Sequence, residues 1–104
     1  MSSEQYHEPA NELPQDVRTF ARIIISLTEE AQAIDWYEQR MALEKDPEAK
    51  AIIASAQKEE MKHFGMDLEF LLRKKPLWKK MLSGILFTDG DIVENGEKAE
   101  PSVD

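Results

Sequence analysis

The sequence predicts an all-α protein: an antiparallel two-helix hairpin followed by a short third helix. Apolar residues recur at helical spacing along two long stretches, which is the pattern of an amphipathic helix. Proline is absent from the interior of both stretches and stands only at their ends. A few residues separate the two, and a connection this short makes consecutive helices antiparallel neighbours.

Composition limits both the size of the domain and its chemistry. The chain has 104 residues, a formal net charge of −8 and no cysteine. This predicts one small acidic domain, and it excludes disulfides, thiolate metal sites and cysteine nucleophiles, so any metal must be bound by carboxylate or imidazole. No apolar run is long enough for a membrane span, and the negative charge opposes nucleic acid and anionic membranes. We expect a cytoplasmic protein with no nucleic-acid or membrane partner, for which cations are the first partners to consider.

The first helix follows a polar arm, residues 1–13, which is expected to be loose because it shows no sustained period. From Pro14 to about Glu44, apolar residues are spaced 3-4-3-4-3, which predicts one long helix. A helix of roughly thirty residues is a rod about 45 Å long. A chain of this size cannot wrap such a rod, so the helix is expected to have a partner along its length. The apolar positions are Val17, Phe20, Ile24, Leu27, Ala31 and Ile34.

Capping residues, prolines and glycines predict where the remaining helices begin and end. Asp46 is a good N-cap for a second helix that starts at Pro47 and ends before Pro76. A third, shorter helix follows, weakened by Gly84 and ended by Gly90. The predicted domain is therefore 14–88. Residues 89–104 hold six acidic side chains and one Lys and are expected to form a flexible acidic tail.

A carboxylate interrupts the apolar stripe of the first helix. Glu30 lies in the middle of positions that are otherwise apolar or aromatic. An unpaired buried charge costs several kcal/mol, so this carboxylate must reach solvent, pair with a cation or bind a metal ion. The other members of the stripe are Ile23, Leu27, Ile34, Tyr37 and Met41.

The second helix repeats the interruption in an ExxH pattern, Glu60 to His63. Side chains three apart on a helix are neighbours, so this pair can converge on one point. Glu30 lies about as far before the turn as Glu60 lies after it, which predicts that both carboxylates reach the same level of the hairpin.

Three ligands do not enclose an iron or manganese ion, which usually takes five or six. Two hairpins paired about a two-fold axis would supply four Glu and two His, a di-iron carboxylate set, and would also cover the apolar faces. The stripe of the second helix consists of Ile53, Ala56, Glu60, His63, Asp67 and Phe70.

The residues alone leave another interpretation open. An ExxH pattern is more often a solvated helix face than a metal site. In an ordinary bundle, Glu30 and His63 would hydrogen-bond to each other or to Lys62. The two interpretations carry about equal weight on this evidence.

Four segments of the chain resemble the encapsulated ferritin family, ferritin-like proteins that complete a four-helix bundle by dimerising. The combination of EE, DWY and EExxH is far more specific than ExxH alone. The segments are HEP at His7–Pro9, EEAQAIDWYEQR at 29–40, KEEMKHFGMDLEF at 58–70 and LFTDG at 86–90.

The resemblance implies roles for individual residues. Ferroxidase ligands fall on Glu30, Glu60 and His63, with Glu60 expected to bridge two irons across the dimer interface. Tyr37 falls on a tyrosine beside the metals, although core packing would also explain it. Trp36 falls on a tryptophan near the site. Glu29 matches an outer acid that guides iron inward, and Gln32 stands where relatives commonly carry Glu, which is expected to weaken iron entry.

The resemblance also implies an activity, an assembly and a partner. The activity is oxidation of Fe²⁺ to Fe³⁺ by dioxygen at a di-iron site, supplying iron for storage inside an encapsulin shell. The assembly is a homodimer that forms a decamer, a pentamer of dimers, located in the encapsulin nanocompartment. The end of the chain, EKAEPSVD, lacks the apolar cluster of a shell-docking peptide, as expected if the natural chain continues.

Rival functions remain at this stage. One is a non-catalytic helical interaction module in which any metal is structural. Another is a peroxide-reducing relative of rubrerythrin, which would need a separate electron donor because the chain has no Cys. The basic cluster at Arg73–Lys75, Lys79 and Lys80 is explained more simply by the end of a helix than by nucleic-acid binding.

Overall fold

A computed structural model describes residues 6–100 and is helical in that range, without a strand. A short 3₁₀ turn, Ala10–Glu12, precedes four α-helices: α1 (Gln15–Leu43), α2 (Pro47–Lys74), α3 (Pro76–Ser83) and α4 (Ile92–Ala99). The all-α prediction is confirmed. Within 6–100, none of the helices combines the length and apolarity that crossing a membrane requires.

The predicted boundaries of the hairpin agree with the structure. α1 begins directly after Pro14, and α2 has Pro47 at its first position. The side chain of Asp46 caps α2, because its Oδ1 accepts a hydrogen bond from the Ala49 backbone N–H at 2.9 Å. Only three residues join the two helices, which therefore run antiparallel.

A buried glutamine joins the two helices. Gln57 on α2 is only 7% exposed, and its Nε2 donates to the Ile34 carbonyl of α1 at 3.1 Å and to Glu38 Oε1 at 2.9 Å. Leaving such an amide unpaired would cost about 1–3 kcal/mol, so a sliding motion of one helix past the other is penalised. Gln57 therefore helps to fix the register of the hairpin.

The described part of the single chain has a very small interior. Its buried side chains are Leu71, Leu72 and Gln57. Fully burying one large apolar side chain contributes about 1.5–3 kcal/mol, so covering the exposed ones would be favourable. Large apolar side chains that stay exposed include Trp36, Leu43, Ile52, Met61, Met66, Leu77, Phe87, Ile92 and Val93.

The chain divides into two compact units, one ending at Leu71 and the other starting at Leu72. In the second unit α3 packs against α4. This corrects the expectation of a flexible tail from residue 89, because residues 92–99 are helical; residues 101–104 lie outside the described range.

Asp91 caps α4 by accepting a hydrogen bond from the Glu94 N–H at 2.8 Å. Lys98 and Glu94, one turn apart, form an ion pair at 3.1 Å.

The loop between α3 and α4 is tied to α4 by a side chain. Asn95 Nδ2 donates to Thr88 Oγ1 at 3.1 Å and to the Asp89 carbonyl at 2.9 Å. In the same loop Phe87 has a φ of +61° and is fully exposed. A left-handed backbone at a bulky residue costs on the order of 1–3 kcal/mol, and such strain is concentrated at functional positions. Phe87 belongs to the LFTDG segment noted in the sequence.

Candidate metal centre

The centre of the hairpin brings together carboxyl groups from both helices. Glu30 on α1 is half-buried, and its carboxyl interacts through a hydrogen bond with that of Asp67 on α2. It also lies within the electrostatic influence of Glu60 and Glu29. Glu60 and Asp67 are two turns apart on one face of α2, and Glu30 interacts with both of them. The predicted proximity of Glu30 and Glu60 is present, with Asp67 as an additional neighbour.

This environment changes the acidity of Glu30. Its pKa is raised to about 7, first by desolvation, then by the hydrogen bond with Asp67, which favours the protonated form of Glu30, and by the repulsion of the neighbouring carboxylates. A hydrogen bond between two carboxyls requires that one of them hold a proton. The carboxyls of Glu30 and Asp67 therefore share a proton.

The buried oxygens of this pair meet a requirement of a cation site. Apart from the contact between the two carboxyls, Oε2 of Glu30 and Oδ2 of Asp67 are enclosed and have no hydrogen-bond partner in the described chain. Carboxylate oxygens are hard ligands that suit iron and manganese. The donor set and its unsatisfied oxygens therefore fit a hard cation.

The two residues of the ExxH pattern differ in exposure. Glu60 is half-buried, while His63 is exposed and close enough to Glu59 to help lower the pKa of that carboxyl. The larger cause of the lowered pKa of Glu59 is its 2.9 Å ion pair with Lys62. The structure therefore pairs Lys62 with Glu59 and not with Glu30, which removes one of the alternatives for the ordinary bundle.

A single chain does not complete the predicted ligand set. Among residues 6–100, no three His, Cys, Asp or Glu side chains are arranged so that they could hold a metal ion. The expectation that Glu30, Glu60 and His63 converge within one hairpin is therefore not met in the single chain. Glu30 is turned towards Asp67, and His63 remains exposed.

The remaining candidates lie on α1 around this centre. Tyr37 is half-buried, and the guanidinium of Arg40 lies over its ring, 5.3 Å from the centroid, which is cation–π geometry. Trp36 is 48% exposed and lines an open depression of about 240 Å³. Glu29 is exposed and acts on Glu30 through its charge. Within residues 6–100, Glu29 joins no group of three His, Cys, Asp or Glu side chains that could hold a metal ion.

Asp67 is the residue of this centre to which sequence reasoning assigned no role. It lies on the same stripe as Glu60 and His63, four positions beyond the histidine. The stripe shows that Asp67 shares a face with them. It does not show which carboxyl of α2 faces Glu30, because that depends on the register of the hairpin.

The raised pKa of Glu30 predicts a pH dependence of stability in the metal-free protein. A carboxyl whose pKa is higher in the folded state takes up a proton on folding, so its stabilising contribution is complete below the unfolded value of 4.5 and is lost as pH rises to about 7. We expect the free energy of unfolding of wild type, relative to Glu30→Gln, to fall across this window. Urea unfolding in a chelator at a series of pH values measures the difference, and a flat profile would contradict the raised pKa.

Comparisons with known proteins agree with the geometry. The EncFtn-like family model matches residues 5–89. A ferritin-like protein of Thermotoga maritima is 43% identical over 96 residues, which is 92% of this chain and 84% of the relative. An encapsulated ferritin-like protein of Rhodospirillum rubrum is 42% identical over 91 residues, which is 88% of this chain and 65% of that relative.

A solved structure has the same fold. The crystal structure of protein ne0167 from Nitrosomonas europaea superposes with a TM-score of 0.81 at 44% identity, covering 86% of this chain and 98% of that one. Sequence and fold agree over most of the chain. The chain therefore belongs to the EncFtn-like family, the encapsulated ferritins, as the segments in its sequence indicated.

Proposed function

We propose that the protein is a ferroxidase that oxidises Fe²⁺ with dioxygen at a centre shared by two copies of the chain. The observation that carries the proposal is the enclosed carboxyl of Glu30, which meets acidic residues of α2 and has an unsatisfied oxygen. In a ferritin-like family, such a group is best explained as an iron ligand. Iron is the substrate here, and dioxygen is the electron acceptor.

Two features of the single chain support a shared centre. The described residues of one chain do not bring three potential ligands together. Large apolar side chains on the hairpin are exposed, among them Trp36, Met61 and Met66. A two-fold partner would double the donors to four Glu and two His and cover apolar surface in the same step.

The ligands suit the oxidation chemically. Four Fe²⁺ ions give up one electron each, and dioxygen takes up these four electrons with four protons to form two water molecules. Anionic carboxylate oxygens favour Fe³⁺ over Fe²⁺, which supports the loss of the electron. Glu60 would help to hold both irons of the pair, and Glu30 would give up its proton when a cation binds. No protein nucleophile is needed.

The larger assembly extends the same proposal. We expect dimers to associate into a decamer, a pentamer of dimers, through the exposed apolar side chains of the second unit, which include Leu77 and Phe87. A small ring of short chains cannot enclose a mineral core. A separate encapsulin shell would therefore provide the container, in agreement with the name of the Rhodospirillum rubrum relative.

Native mass spectrometry, with protein prepared anaerobically with and without Fe²⁺, tests the shared centre. We expect an even-numbered oligomer that retains about one iron per chain, because two copies complete each two-iron centre. When dioxygen is then admitted, the amount consumed should be proportional to the iron added. A monomer, or an oligomer that holds no iron, would contradict the proposal. Iron binding without oxygen consumption would favour a metal-stabilised helical interaction module.

A further inference from the structure

We propose that Asp67 is a further iron ligand of this centre, so that each chain supplies three carboxylates and one imidazole. The inference rests on the proposed function and adds a residue that the family resemblance did not assign. It follows from where Asp67 lies on α2, from its contact with Glu30 and from the state of its oxygens.

The position of Asp67 extends the ExxH pattern by one step. Glu60, His63 and Asp67 are spaced by three and four residues, so they form one row on α2. Seven residues are almost two full turns, which places Asp67 over Glu60 about 10 Å further along the helix. The carboxyl of Glu30 on α1 forms a hydrogen bond with Asp67 and lies within the electrostatic influence of Glu60. The row therefore presents two carboxylates of α2 to the single carboxylate of α1.

The contact between Glu30 and Asp67 is unfavourable if both groups are charged. The two carboxyls are within hydrogen-bond contact of each other, and the nearby Lys62 forms its ion pair with Glu59. Oδ2 of Asp67 and Oε2 of Glu30 are enclosed and otherwise unpartnered in the part of the chain that the structure describes. Burying charge without a partner costs several kcal/mol, whereas a cation between two carboxylates compensates both. A divalent cation bound between the two carboxylates would compensate both charges in place of the shared proton.

A purely positioning role for Asp67 makes a different prediction. If Asp67 only held Glu30 in place by a hydrogen bond, Asp67→Asn would retain this role, because the amide can donate to the Glu30 carboxylate. If Asp67 binds the metal, the same substitution removes an anionic ligand and weakens metal affinity. Asp67→Asn therefore separates a ligand from a positioning residue.

Anaerobic calorimetry with Mn²⁺ tests the proposal without any redox reaction. Manganese prefers the same hard oxygen ligands as iron and is not oxidised during the titration. We expect Asp67→Asn to raise the Kd for Mn²⁺ by about tenfold or more, since even residues behind the ligands change metal affinity by 10–100-fold. Asp67→Glu, which retains the carboxylate, should recover part of the affinity.

Asp35→Asn is the matched control. Asp35 is exposed on α1 and accepts a hydrogen bond from Gln39 at 3.1 Å, so its substitution removes the same charge away from the centre. Wild-type affinity in Asp35→Asn, with weakened affinity in Asp67→Asn, supports the inference. Equal affinity in wild type and Asp67→Asn would overturn it and leave the ferroxidase proposal intact. A wild-type protein that binds no Mn²⁺ or Fe²⁺ would overturn both.

Discussion

Replacing Glu60 with Ala should abolish oxygen-dependent oxidation of Fe²⁺. Glu60 is half-buried, shares a face of α2 with His63 and Asp67, and acts electrostatically on Glu30. In the proposed centre its carboxylate would help to hold both irons, so its removal would leave the two electron donors poorly bound beside each other. We expect a loss of more than about a hundredfold, beyond the 10–100-fold typical of residues that only support metal ligands.

Glu59→Ala provides a matched control at the neighbouring position. Glu59 is exposed and pairs with Lys62, so its loss removes the same number of atoms and the same charge while Glu30, Glu60 and His63 stay in place. Oxygen consumption and the absorbance of ferric product should remain close to wild type. Sedimentation of both variants shows whether assembly is intact. Near wild-type oxidation by an assembled Glu60→Ala protein would disprove the site assignment.

Replacing Gly84 with Ala should loosen α4 from α3. A Cβ built on Gly84 would lie 2.8 Å from Ala99 Cβ and 3.4 Å from Ala99 Cα, so α4 would have to move. Overpacking of this kind costs about 1–3 kcal/mol. Because α4 is a short helix, this cost is large compared with its own stability. Hydrogen exchange of residues 92–99 should become faster in the variant.

Gly96→Ala is the contrasting change within the same unit. Gly96 lies inside α4, and a Cβ there meets nothing within 4 Å. Alanine in a helix interior is favoured over glycine by about 1 kcal/mol, so exchange across α4 should slow. If both variants had the same effect on exchange, the close approach of Gly84 to Ala99 would not be what holds α4.

The hairpin could be predicted from the sequence because its signals are local. Pro14, Pro47 and Pro76 mark the starts of helices, and Asp46 caps α2 as its position predicts. The same kind of local signal exists for α4. Asp91, followed three residues later by Glu94, resembles a capping box, but the polar composition of the segment favoured a tail instead.

The candidate site could be predicted only in part. The stripes on the two helices indicated Glu30 and Glu60, since each carboxylate interrupts an apolar row. The contact of Glu30 with Asp67 depends on the register of α1 against α2. That register is fixed in part by Gln57, whose hydrogen bonds to Ile34 and Glu38 of α1 span 23 and 19 residues of sequence and leave no periodic signal. The spacing of residues along one chain likewise cannot show which side chains a second copy would add to the site.

The small interior of the single chain links the lifetime of the protein to its abundance. With Leu71, Leu72 and Gln57 as the buried side chains of its described part, an isolated chain gains little from folding alone. Assembly would add the missing burial, and mass action makes that gain grow with concentration. Chains made in small amounts would remain unassembled and accessible to proteases, whereas chains made at higher concentration would assemble and resist cleavage. Proteolytic turnover would thus remove unassembled subunits and set a threshold of expression below which little protein accumulates.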